Sequence, residues 1–235
     1  SRSGWPAGPH PSDRWADPLT DEGHPRRWTV LAVLCTALCA IVIDNTILSI
    51  AVPSIGRSLA ADETDLQWIS AAYALVLSGL LLPLAVLGDR FGRKRLFLVG
   101  LSIFGAASGA AATVDSAGAL VVCRGLMGVG GAAAMPATLA ILGNVFSARE
   151  RPRALAVWSG VAGFASAAGP LLGGVLLGHF WWGAVFVVNV PLVVVGVLVA
   201  AFVVPESRDP TAPPIDWGGA ALWTGVAFLV AAAAY

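Results

Sequence analysis

Two ionisable side chains stand inside long apolar segments of this sequence. Asp44 lies eight residues before Val52, the end of the first apolar run, and Arg124 lies seven residues after Ala117, the start of the fourth. If Val52 and Ala117 lie at the same membrane surface, Asp44 lies about 12 Å and Arg124 about 10 Å from that surface, at ~1.5 Å per helical residue. A charge in the hydrocarbon core costs about 2.5–3.5 kcal/mol, so we expect this pair to have a specific role.

The chemistry open to such a pair is the uptake and release of a proton by Asp44. A neighbouring cation favours the ionised carboxylate and removal from water favours the neutral acid, so a small rearrangement can change the proton affinity. Two alternatives remain open: a static ion pair that joins the first and fourth helices, or an arginine that extends to the outer interface. If Arg124 binds the carboxylate through both arms of its guanidinium, lysine should replace it only in part.

The composition indicates that membrane-spanning helices position these residues. The 235-residue chain is 57% hydrophobic and 12% charged, with a mean hydropathy of +0.79, whereas soluble domains carry about 25% charged residues. A span needs roughly 20 apolar residues and the runs show no strand-like alternation, so we predict an all-α polytopic membrane protein. Six complete runs cover residues 28–52, 68–88, 96–114, 117–142, 154–177 and 183–204, and a seventh begins at residue 217.

These runs divide the chain into four parts. We predict a disordered tail over 1–27, a six-helix transmembrane bundle over 28–204, a loop over 205–216 and the start of a seventh transmembrane helix over 217–235. Twelve of the fourteen basic residues fall in segments on the side of the amino terminus, whereas only Arg57 falls on the other side. The positive-inside rule therefore makes the tail and the loop over 205–216 cytoplasmic.

The composition disfavours several classes of function. The formal net charge is zero, which argues against a nucleic-acid binder with a broad basic face. The three cysteines lie in apolar runs without metal-binding spacing, so we expect neither a disulfide framework nor a metal site. The sequence has no G-x-x-x-x-G-K-[ST] loop, and its spans lack the clustered acidic residues and histidines of a membrane enzyme. We therefore expect neither an enzyme nor an ATP-driven pump.

The loop after the second run combines charges and a glycine in a specific order. It reads Ala85-Val-Leu-Gly-Asp89-Arg90-Phe-Gly92-Arg93-Lys94. Topogenic charge alone would explain its cations, but not an aspartate and a glycine at these positions. The loop resembles the G-x-L-a-D-R-x-G-R-K motif of the major facilitator superfamily, with alanine in place of the first glycine. In that family the loop is thought to latch the two halves on the cytoplasmic side, which implies a gating role for Asp89, Arg90, Gly92, Arg93 and Lys94.

Other segments resemble the fourteen-helix drug:proton antiporters of this superfamily. Residues 43–53 resemble L-D-x-T-V-V-N-V-A-L-P, with Ser49 in place of the asparagine. Residues 124–132 resemble R-x-x-Q-G-x-G-x-A, with Met127 in place of the glutamine. The antiporter motif G-x-x-x-G-P-x-x-G-G is matched, apart from its first glycine, by Gly169, Pro170, Gly173 and Gly174. Weaker matches are residues 182–191, similar to W-R-W-x-F-x-x-N-x-P without its arginine and second tryptophan, and residues 216–219, where that branch begins its extra helix pair.

The resemblance implies the amino-terminal six-helix bundle of a major facilitator, built as two inverted three-helix repeats, plus part of a seventh helix. It implies efflux of hydrophobic or cationic small molecules across a bacterial plasma membrane, driven by the proton gradient without another cofactor. Carboxy-terminal helices of the same full-length chain would complete the transporter, Asp44 and Arg124 would couple protons, and the motif at 169–174 would form a hinge or seal, or only pack helices. The expected cavity residues are Thr46, Met127, Trp158 and Phe164. The alternatives are a uniporter or symporter of a metabolite, or a module that does not transport.

Overall fold

The computed structural model describes residues 23–208 and, beyond them, residues 218–219, 222–226 and 229. Most of the predicted tail and of the predicted loop over 205–216 therefore lies outside the described residues. The described residues after position 217 are helical. Their side chains pack on the second helix, because Trp223 Nε1 donates to the Ser78 carbonyl at 3.3 Å and Thr224 Oγ1 donates to the Gly79 carbonyl at 2.9 Å.

The regular structure of residues 23–208 is entirely α-helical, so the predicted all-α fold is confirmed. Among the described residues, five single helices and one pair of helices are long and apolar enough to cross a membrane, the pair being α6 and α7 over Ala184–Val203. The elements are α1 (Arg27–Leu59), α2 (Glu63–Phe91), α3 (Arg93–Ala111), α4 (Ala117–Val145), α5 (Arg151–His179), α6 (Ala184–Val187) and α7 (Asn189–Val203).

Several helices continue past the predicted apolar runs, and the extended start of α2 is capped by side chains. Helix α2 begins at Glu63, five residues before the run at 68–88, where Asp62 Oδ1 accepts from the Asp65 amide at 2.8 Å and Asp65 Oδ2 accepts from the Asp62 amide at 3.3 Å. This reciprocal capping box satisfies two amide groups that would otherwise lack partners. An apolar run thus marks where the hydrocarbon requires apolar side chains, whereas the helix ends where backbone bonding ends.

The sixth span is divided at Val188 into α6 and α7. Pro191 has no N–H to donate to the Val187 carbonyl, and its ring crowds that carbonyl, so the helix is interrupted here. The break makes the fully buried Asn189 the first residue of α7. The prolines that lie inside unbroken helices are Pro53, Pro83, Pro136 and Pro170.

Helix α4 lies in the middle of the bundle because glycines let it approach α2 and α3 closely. A Cβ atom on Gly130 would lie 2.6 Å from the Gly100 carbonyl oxygen of α3, and one on Gly128 would lie 2.7 Å from the Tyr73 carbonyl oxygen of α2. Such approaches suit helices that pack in lipid without a hydrophobic driving force. The largest fully buried apolar side chains around α4 include Leu34, Ile47, Phe97, Phe104, Leu120 and Phe186.

Candidate functional site: a buried ion pair between helices

The acidic and basic residues singled out within the apolar runs meet in the interior of the bundle. Arg124 Nη1, on α4, donates to Asp44 Oδ2, on α1, at 2.6 Å, and the two side chains are 0% and 1% exposed. The common depth predicted from their spacing is therefore confirmed. Arg124 does not extend to an interface. The role of the pair in proton exchange stays a prediction.

The guanidinium of Arg124 is shared between α1 and α2. Its Nε donates to the Ile69 carbonyl at 3.3 Å, and the group lies over the Tyr73 ring, 4.5 Å from the centroid. Met127 Sδ lies 4.0 Å from Nη1, and Nη2 is buried without a partner. The expected two-armed bond to the carboxylate is therefore wrong, because one arm binds Asp44 while the backbone and ring of α2 hold the rest of the group.

Two uncharged polar residues complete this site, and sequence reasoning did not select either as a site residue. Asn189 Nδ2 donates to Asp44 Oδ1 at 2.8 Å and to Ser108 Oγ at 3.1 Å, while Ser108 Oγ donates to the Phe186 carbonyl at 2.9 Å. Both side chains are fully buried. The available signal was their type, because an amide and a hydroxyl inside apolar spans must find partners where water is absent.

The ion pair is shielded from solvent in this conformation. A buried carboxylate is tolerated while a cation and hydrogen-bond donors compensate its charge, and protonation removes the charge that attracts the guanidinium. The arrangement is therefore able to make the contact between α1 and α4 depend on a proton. Because the pair is closed to water here, exchange of that proton requires a conformation in which the bundle opens.

The predicted antiporter motif brings α5 against α1, next to the ion pair. A Cβ atom on Gly169 would lie 2.8 Å from Thr46 Cβ and closer still to its hydroxyl, and one on Gly173 would lie 3.2 Å from Ile47 Cγ1. By contrast, a Cβ atom on Gly174 would meet nothing within 4 Å. Gly169 and Gly173 thus let α5 approach α1 at the residues two and three positions after Asp44, whereas Gly174 faces open space.

The four expected cavity residues occupy different environments. Met127 is fully buried beside Arg124, and Thr46 lies in the contact between α1 and α5. Phe164 is 74% exposed on the outer surface of α5, and Trp158 is half-buried with an indole N–H that has no partner. Met127 therefore belongs to the ion-pair site, whereas Phe164 faces away from the bundle interior.

The charged loop between α2 and α3 is attached to the end of the sixth span. Arg93 forms an ion pair with Asp89 at 2.7 Å, and its backbone amide donates to the Ser207 carbonyl at 3.0 Å. Gly92 has a φ of 122°, and a Cβ atom there would lie 2.7 Å from Glu206 Oε1. The backbone conformation therefore favours glycine at this position, and a Cβ atom would also displace the end of the Glu206 side chain.

Glu206 was missed by sequence reasoning, yet it organises this loop. Its Oε1 accepts from the Lys94 amide at 3.2 Å, and its Oε2 lies 3.5 Å from Arg95 Nε. A carboxylate at the start of α3 is favourable because the helix dipole is positive there. Lys94 Nζ donates to the Ala201 carbonyl at 2.7 Å, whereas Arg90 is exposed and lies over the neighbouring phenyl ring, 5.8 Å from its centroid.

Comparison with known proteins identifies the family. Residues 34–235 match the model of the Major Facilitator Superfamily. The chain belongs to this superfamily. Its curated relatives include the multidrug efflux pump LfrA of Mycolicibacterium smegmatis, 44% identical over 200 residues that make up 85% of this chain and 40% of the relative. The methyl viologen resistance protein SmvA of Salmonella typhimurium is 40% identical over 84% of this chain and 40% of the relative.

A third relative, the tetracenomycin C resistance and export protein of Streptomyces glaucescens, is 37% identical over 86% of this chain and 38% of the relative. The chain thus spans about 40% of the length of these relatives. Their names agree with the resemblance to the drug:proton antiporter branch of the major facilitators. This share of the relatives' length agrees with the predicted amino-terminal half.

Solved structures of major facilitator type share the fold. The peptide transporter POT, in a complex with sulfate, has a TM-score of 0.70 and 18% sequence identity, covering 90% of this chain and 46% of the transporter. The tetrameric transporter PepTSo2 has a TM-score of 0.65 and 17% identity, covering 86% of this chain and 49% of the transporter. At this level of identity the similarity shows the fold alone, and it confirms the six-helix bundle predicted from the sequence.

Proposed function

We propose that the protein containing this chain exports hydrophobic or cationic small molecules in exchange for protons. The family supports a transporter rather than an enzyme, and the names of the relatives support drugs as the substrate class. The observation that carries the proton-coupled part of the proposal is the buried contact between Asp44 and Arg124. An ionisable pair in a membrane interior is expensive to retain, and proton relays are among its established uses.

In the proposed cycle Asp44 is the proton carrier. In the closed conformation the carboxylate is ionised and bound to Arg124. When the bundle opens, water reaches the carboxylate, which takes up a proton and releases the guanidinium. Substrate and proton then compete for one conformation of the bundle, so that binding of one favours release of the other without direct contact between them.

The basic residues favour a cytoplasmic position for the amino terminus and for the loop over 89–94. Arg27, at the start of α1, forms an ion pair with Glu150 at 2.7 Å, and the Asp89–Arg93 pair lies at the same end of the topology. Concentration of cations on one side is the usual sign of the cytoplasmic face. We therefore place the amino terminus inside a bacterial plasma membrane. On the same face, we propose that the loop over 89–94 regulates closure against the carboxy-terminal helices of the full-length chain.

The proposal is tested with Asp44→Asn in the full-length protein, reconstituted in liposomes under an imposed pH gradient. Asparagine keeps the size of the side chain and one acceptor oxygen, but it replaces the other oxygen by an NH₂ group and cannot take up a proton. We expect proton-driven transport of a cationic dye to be lost, while binding of the dye is retained. Asp115→Asn provides the matched control, because Asp115 is exposed between α3 and α4.

Undiminished transport by Asp44→Asn, equal to that of the control, would remove Asp44 from the coupling mechanism. Wild-type transport that does not respond to the pH gradient would instead favour a uniporter. Transport in the same direction as the proton flux would favour a symporter. The direction of dye movement relative to the gradient therefore separates export by antiport from the two alternatives.

A further inference from the structure

A continuous series of hydrogen bonds connects the sixth span to Asp44. Ser108 Oγ donates to the Phe186 carbonyl at 2.9 Å, Asn189 Nδ2 donates to Ser108 Oγ at 3.1 Å, and the same Nδ2 donates to Asp44 Oδ1 at 2.8 Å. We call the Phe186 carbonyl, Ser108 and Asn189 the relay. Its groups come from α6, α3 and α7, and its side chains are fully buried.

The direction of each bond in the relay is fixed by the preceding one. A serine hydroxyl has one hydrogen, and that hydrogen is directed at the Phe186 carbonyl. Toward Asn189 the hydroxyl therefore presents only lone pairs, so the amide must place its NH₂ group there. The second hydrogen of that group is directed at Asp44, while Asn189 Oδ1 is buried without a partner.

Both hydrogen-bond partners of Asp44 are consequently donors. Arg124 donates to one carboxylate oxygen and Asn189 to the other. A carboxylate accepts both bonds, whereas a protonated carboxyl group has an O–H that needs an acceptor. Neither neighbour offers an acceptor while the relay keeps its direction.

We propose that Asn189, oriented by Ser108, is a positioning residue for proton exchange at Asp44. The relay holds α1 against α3 and the sixth span while Asp44 is ionised. Proton uptake turns one carboxyl oxygen into an O–H that faces a donor, so it breaks at least one of the two bonds and loosens α1 from these helices. This inference rests on the proposed exchange of protons at Asp44.

Few other titratable groups face this carboxyl group. Helix α4 contributes Arg124, and α2 contributes Tyr73, whose ring lies against the guanidinium. Helix α5 carries its titratable side chains only at its two ends, and the described residues of α6 and α7 contain none. A change in the relay should therefore be visible directly in the protonation of Asp44.

The test is a pH titration of the full-length protein by infrared spectroscopy. The carbonyl stretching band of a protonated carboxyl group is followed, and the band lost in Asp44→Asn is assigned to Asp44. The relay variants are Asn189→Leu, which removes the donor, and Ser108→Ala, which frees the amide to turn its oxygen toward the carboxyl group. Ser102→Ala is the matched control, because Ser102 is exposed on the same helix as Ser108.

In Asn189→Leu we expect the band to appear at a pH about one to two units higher than in the wild type, since a bond to the charged form is lost. Ser108→Ala should shift the titration in the same direction by a smaller amount, and Ser102→Ala should not shift it. A purely structural role for Asn189 would lower the thermal stability without moving the titration midpoint. Should Asn189→Leu fail to fold, Ser108→Ala decides the question.

The outcomes separate this inference from the proposed function. If the Asp44 band is assigned but both relay variants titrate with the control, the relay is refuted while proton exchange at Asp44 stands. If Asp44→Asn removes no band over the whole titration, Asp44 does not take up a proton, and the proposed function and the relay are both refuted.

Discussion

Replacing Arg124 by leucine removes a buried cation and leaves its carboxylate partner uncompensated. The variant loses the 2.6 Å ion pair with Asp44, the 3.3 Å bond to the Ile69 carbonyl and the contact with the Tyr73 ring. Breaking a buried pair by removal of one partner destabilises proteins by about 3–5 kcal/mol. Because Arg124 is 0% exposed, solvent gives little compensation, and we expect a loss of unfolding free energy in this range.

The unfolding free energy lost in Arg124→Leu should depend on pH. Without the cation, the folded state of Arg124→Leu favours the protonated form of Asp44 more strongly than the unfolded state does, so the folded state binds the proton. The stability of the variant then rises as the pH falls and decreases as the pH rises. The double variant Asp44→Asn/Arg124→Leu contains no buried charge at this site. It should recover most of the lost stability, because exchange of a buried pair for uncharged groups is often close to neutral.

The measurement is unfolding of the purified full-length protein in detergent at acidic and neutral pH. Arg57→Leu is the control, because Arg57 is exposed near the end of α1 and donates only a 3.4 Å bond to Ser54. If the double variant is as unstable as Arg124→Leu, the loss comes from packing rather than from an uncompensated charge. If the stability of Arg124→Leu is independent of pH, the same reasoning is refuted.

Two further predictions concern packing and the charged loop. Gly169→Ala should destabilise the protein by about 1–3 kcal/mol, because its methyl group would overlap Thr46. In Gly174→Ala the methyl group meets nothing within 4 Å, so this control should melt at or above the wild-type temperature. Equal melting temperatures of the two variants would contradict the close approach of α5 to α1. Glu206→Ala should weaken the start of α3 by about 1 kcal/mol, the usual effect of losing a cap. Faster hydrogen exchange at the Lys94 amide would be its signature, and unchanged exchange would show that Glu206 does not cap α3.

The sequence predicts the spans and the depth of the ion pair because lipid imposes simple requirements on both. A span needs a long apolar run, and an acid and a base that survive inside such runs are conspicuous. The contacts of Asn189 and Glu206 escaped prediction because they join distant parts of the chain. Asn189 lies 145 positions after Asp44, and Glu206 lies 112 positions after Lys94. Only the tertiary arrangement, including the interruption of the sixth span by its proline, brings these residues to their partners.

The ion pair stands at the boundary between two groups of helices. Helix α5 packs mainly on α1, with Gly169 and Gly173 at the contact, whereas α4 packs mainly on α2 and α3 and touches α1 and α5 far less. A displacement of α1 and α5 relative to α2, α3 and α4 therefore separates Asp44 from Arg124. With the carboxylate ionised, that displacement separates buried opposite charges and is costly, whereas a protonated carboxyl group has no such attraction to lose. Proton uptake in the opened bundle accordingly stabilises the displaced arrangement, and a transporter whose displaced arrangement kept Asp44 ionised would contradict the proposed coupling.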